Sequence, residues 1–173
     1  MPGLFGRLRG MLGGGGAKPG PDGGPIFGES CDTFHKGRLQ DRMERATLEV
    51  QRQVLLTACE FAIAEAGLDH PLAQEALTAV REGRPFPPDR RQQLRQLADE
   101  FDARYIKLDA LTGAGQGAAE DARTCFRRYV AGNALYFATS DDPIRDAHHT
   151  VYDASHTSDD PAAFVQRIEE LLR

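Results

Sequence analysis

His149, Asp153 and His156 stand at i, i+4 and i+7 of a stretch with helical periodicity, and Asp146 lies close by. That spacing lines two imidazoles and a carboxylate along one stripe of a helix, the raw material of a metal site. Counted at about 100° per residue, the stripe falls opposite Ile144, Ala147, Val151, Ala154 and Ser155, the apolar side of the same helix. The pattern therefore predicts a solvated stripe, and no cofactor is expected. His148 falls at the edge of the apolar side beside Tyr152, where a hydrogen-bonded boundary histidine is expected.

Asn133 raises a different question. It sits between Gly132 and Ala134 in the uncharged run Tyr129 to Ala138, so it must satisfy its amide in an apolar setting. A bond to a neighbouring helix would do so, and so would a polar ligand in an internal pocket near Asn133. Glu60 and Glu65 lie in or beside another apolar run and call for partners such as Arg128 or Tyr129. No G-x-S-x-G motif marks a nucleophile. Gly113-Ala-Gly115-Gln-Gly117-Ala118 fits the loose dinucleotide pattern, but that pattern needs a preceding strand, and the residues before it have a helical period. A turn between helices is expected there. Cys31, Cys59 and Cys125 are far apart without a C-x-x-C pair, which points to a reducing compartment and to thiols acting as small hydrophobes.

Charge supplies the strongest functional hint. The chain carries a formal net charge of −5, and the residues from Thr139 onward alone account for −5. Asp141, Asp142, Asp146, Asp153, Asp159 and Asp160 are concentrated there, a surface suited to a basic protein and unsuited to nucleic acid. Two identical tracts, Thr139 to Pro143 and Thr157 to Pro161, each read Thr-Ser-Asp-Asp-Pro. Asp at a cap position and Pro at the first helical position both favour a helix start, so capping is a competing use for these carboxylates.

The elements that must position these residues are helices. Leu39 to Ala66 keeps helical spacing through Met43, Ala46, Val50, Val54, Ala58 and Phe61, and Gly67 supplies its stop. Its second half is apolar nearly all round and should be the centre of the bundle. A short helix is expected from Pro71 to Glu82, entered through Asp69, and another after Pro87 and Pro88 on Leu94, Leu97, Ala98, Phe101 and Tyr105. Further helices are expected from Ala119 to Ala138, Pro143 to Ser155 and Pro161 to the end. Gly132 is costly in a helix unless it admits a close neighbour, and Ala58, Ala62 or Ala66 is expected to face it.

The fold class is all-α, an irregular bundle of five to six helices with a disordered Gly/Pro-rich N-terminal segment. Residues 1–30 are expected to form a flexible tail and residues 31–173 a single helical domain. Gly13 to Pro25 has almost nothing apolar to bury and reads as a tether. Before it, Leu4, Phe5, Leu8, Met11 and Leu12 share one helical face with Arg7 and Arg9 turned away, a possible docking peptide for a membrane surface or a partner's groove. No apolar run reaches the length of a membrane span, and a cytoplasmic location is expected. The abundance of Ala, Arg and Gly gives the composition a bacterial, high-GC character.

These patterns point to binding rather than catalysis. The expectation is a non-catalytic helical protein-binding module with an acidic C-terminal face, for which an immunity-type inhibitor of a basic partner is one concrete form. The alternative is a small-molecule- or metal-binding sensor or enzyme using the His149, Asp153, His156 stripe or a pocket near Asn133.

Overall fold

The computed structural model describes residues 38–111 and 116–173. Seven helices lie among the described residues: α1 (Arg38–Arg45), α2 (Leu48–Ala66), α3 (Pro71–Glu82), α4 (Pro88–Asp109), α5 (Gln116–Ala138), α6 (Ala147–Ser155) and α7 (Pro161–Leu171). No strand occurs among these residues, and the class is all-α. The expected Leu4, Phe5, Leu8, Met11, Leu12 face, the expected Gly13 to Pro25 tether, Cys31, Gly113 and Gly115 lie outside the described residues. Gln116, Gly117 and Ala118 already belong to α5, and α4 stands where a dinucleotide fold would need a strand.

The core confirms the apolar half of the first long run as its centre. Val54, Leu55, Ala58, Cys59, Ala62 and Ala66 of α2 are buried. Around them pack Leu39 and Met43 of α1, Ala131, Ala134 and Leu135 of α5, Val151 of α6, and Phe164 and Ile168 of α7. Phe61 and Phe164 stack with centroids 4.2 Å apart, fastening α7 to α2. Burial pushes the Cys59 thiol far up and keeps it inert, as the apolar setting predicts. No helix among the described residues is long and apolar enough to cross a membrane.

The sequence expectations need correction at four places. The run from Leu39 to Ala66 is two helices, because Thr47 adopts an extended conformation (φ −64°, ψ 154°) and its side chain accepts a hydrogen bond from the Val50 amide. His70, not Asp69, caps α3, its Nδ1 accepting from the Leu72 amide at 3.2 Å. After the first Asp-Asp-Pro tract the chain makes turns, and α6 begins only at Ala147. Asp142 does cap, but its Oδ1 accepts the Arg145 amide of a turn. The second tract performs as expected, with Asp160 accepting from the Ala163 amide and Pro161 opening α7. Finally, Gly132 faces α4 rather than α2: a Cβ built on it would lie 3.0 Å from the Cβ of Ala98.

Gly67 and Gly83 close α2 and α3 in the left-handed region, with φ of 55° and 62°. After α3 the Gly83 amide bonds Val80 O and the Arg84 amide bonds Ala79 O, the paired bonds that cap a helix and turn the chain away. This turn positions the groove described below.

Candidate functional site

Two residues that the sequence singled out for different reasons come together where α4, α5 and α6 meet. Arg95 on α4 donates from Nη1 to Oδ1 of buried Asn133 on α5 at 3.0 Å, and its Nε pairs with Asp99 at 3.2 Å. Asn133 therefore finds its partner on a neighbouring helix. Asp153 of α6 is directed into the same cluster, where its charge is felt by Tyr129 and opposed by Arg95. Burial pushes the Asp153 carboxyl up to about 8, with Arg95 pulling the other way. Burial likewise raises the Tyr129 phenol, with the Asn133 side chain opposing. Asp153 is thus half-buried, against the solvated position expected of it, on a helix that packs against α5.

The metal stripe is divided by these contacts. His149 stacks on Phe137 at 4.6 Å, and partial burial, aided by neighbouring His148, holds its pKa below the usual histidine value, with Asp146 opposing. His156 turns back on its own helix, its Nδ1 2.8 Å from Tyr152 O. Asp153 faces Arg95 and Tyr129 instead. Among the described residues no group of three or more His, Cys, Asp or Glu side chains is gathered to hold a metal ion. His148 behaves as a boundary histidine, with Nδ1 3.2 Å from Arg145 O. Glu60 is exposed and pairs with Arg81 at 3.0 Å, while Glu65 is also exposed, so neither needs Arg128 or Tyr129.

The acidic run is not one free face. Asp159 is answered by Arg123 and, at 2.8 Å, by Arg127, both on α5. Asp160 caps α7 and Asp153 is directed inward. Asp141, which lies 4.0 Å from Arg91, Asp142, Asp159 and Asp160 are exposed, and Asp146 is half-buried. Asp141, Asp142 and Asp146 sit on the turns between α5 and α6. Two basic residues of α4 are likewise occupied: Arg90 pairs with Glu75, and Arg91 lies over the Tyr136 ring at 4.4 Å.

A groove that sequence reasoning missed lies on another side of the bundle, between α2, α3 and the chain leaving α5. Its volume is about 390 Å³. Leu55, Ala79, Val80, Phe86, Ala138 and Ile144 form an apolar floor continuous with the core. Arg52, Arg84, Ser140 and Asp141 line it as polar groups. The Arg52 guanidinium lies against Gly83, within 3.2 Å of where a Cβ would be, so the glycine that ends α3 also makes room for the cation. Arg84 is held by Glu82 at 2.5 Å, whereas among the described residues Arg52 has neither an ion pair nor a hydrogen bond. A shallower depression continues along α2 and α3 and shares Leu48, Arg52 and Val80; Leu48 is 57% exposed. The sequence signal for this site is Gly83 between Val80 and Phe86, a glycine that in sequence alone marks the end of the Pro71 to Glu82 helix.

No protein-family model, no curated protein and no solved structure matches this chain.

Proposed function

We propose that this protein is a non-catalytic helical binding protein whose small, largely apolar ligand enters the groove between α2, α3 and the segment leaving α5. The observation that carries this reading is the groove itself. At about 390 Å³ it falls within the roughly 300–1,000 Å³ of small-ligand sites, and it combines an apolar floor with few polar groups, as such sites do. The Asn133 cluster supports a structural role more than a binding one, since Arg95, Asp99 and Asn133 answer one another. Val80 lines the groove without being fully buried, so Val80→Trp should fill it and leave the fold intact. Wild-type protein should melt at a higher temperature as decanol is added, and the Trp variant should not. Equal behaviour of the two proteins would remove the groove from the account.

A second reading keeps the protein-binding expectation, with its surface narrowed. Asp141 and Asp142 are exposed on the turns that also form one wall of the groove, and a basic partner protein, including one inhibited in the immunity manner, would meet them first. Replacing Asp141 and Asp146 by Lys leaves the Asp142 and Asp160 caps in place. The double variant should associate with a partner captured from the native source several-fold more slowly, and with less dependence on salt. An on-rate indifferent to both changes would exclude this surface.

A further inference from the structure

Resting on the groove reading, we infer that the ligand is a small apolar monocarboxylate whose headgroup is held by Arg52. Charge complementarity points to this class. Arg52 is a permanent cation lining an apolar groove, its guanidinium lying beside Gly83, and among the described residues no carboxylate answers it. A guanidinium in this position presents two parallel N–H donors, which match the two oxygens of a carboxylate. The nearby acids do not compete. Glu82 pairs with Arg84; Asp141 lines the groove but is fully exposed and 4.0 Å from Arg91, and neither it nor Glu49, one turn before Arg52 on α2, makes an ion pair with Arg52.

Ser140 supplies a second, independent observation. This residue lines the groove, yet its buried Oγ has no hydrogen-bond partner, which is uncommon for a buried hydroxyl and costs stability until the group is matched. A hydroxyl among the lining residues is a donor that a ligand oxygen can match. The apolar floor then receives the rest of the molecule. At roughly 30 Å³ per water-sized unit the groove has room for about a dozen non-hydrogen atoms, the size of a ten-carbon acid.

The test uses the full chain and a matched pair of probes, decanoate and decanol, which differ in the headgroup alone. Calorimetric titration of wild type should show decanoate binding more tightly than decanol. Arg52→Gln should weaken decanoate about tenfold to a hundredfold, the range of a charge-assisted hydrogen bond, and leave decanol unchanged. Arg52→Lys should recover part of the loss. Arg52 is exposed and makes no hydrogen bond or ion pair among the described residues, so these variants should keep the wild-type melting temperature. If decanoate and decanol bind equally, or if Arg52→Gln leaves decanoate unaffected, the carboxylate assignment is overturned while the groove remains a ligand site. If neither probe binds wild type, the groove reading itself falls.

Discussion

Asp153 is the residue whose chemistry departs furthest from its sequence context. Its folded-state pKa of about 8 lies above the ordinary carboxylate value near ~4. The neutral form is therefore favoured in the folded protein, and the stability it brings is fully present below about pH 4 and lost as pH rises through 8. Asp153→Asn, which keeps the shape and removes the charge, should leave stability at pH 4 nearly unchanged and raise it by about 1–3 kcal/mol at pH 9. Urea melts of both proteins across this range check the claim, and parallel pH profiles would refute it. Sequence reasoning put Asp153 on a solvated stripe because it knew one helix face at a time. What it lacked was α5 packed against α6, which brings Tyr129 and the Arg95 charge within reach of Asp153. The Asn133 bond to a neighbouring helix was legible, since an amide in an uncharged helical run has to find such a partner.

Helix boundaries followed local chemistry wherever the cap was local. Gly67, Gly83 and the Asp160-Pro161 start are visible in the sequence because φ > 0 and a free N-terminal turn each demand particular residues. Thr47 was less visible, since periodic apolar residues continue across it. Thr47→Ala should cost about 1 kcal/mol by removing the cap of α2, measurable in a denaturant melt. Partner choice between helices was the harder matter. Gly132 signals a close crossing but not which helix crosses, and the structure gives Ala98 of α4. Gly132→Leu should destabilise by about 1–3 kcal/mol through overpacking. Gly132→Ala should cost less, and adding Ala98→Gly should recover part of that loss. Additive effects in the double variant would mean that the two residues do not share the crossing.

At the scale of the whole molecule, the all-α class and the central place of α2 were written in composition and periodicity, whereas the groove was not. A concavity arises from how three elements diverge, here α2, α3 and the chain leaving α5, and no single stretch of sequence records that divergence. The acidic run shows the complementary lesson. Its residues are adjacent in sequence, but the fold gives them different surroundings: Asp142 and Asp160 cap, Asp159 pairs with α5 arginines, and Asp153 is half-buried. Amide chemical-shift mapping with decanoate added to the full chain tests the account most directly. The account predicts that perturbations concentrate at Arg52, Val80, Gly83 and Ser140 and are lost in Val80→Trp. Perturbations confined to the α4, α5 and α6 face around Asn133 and Asp153, or none at all, would contradict it.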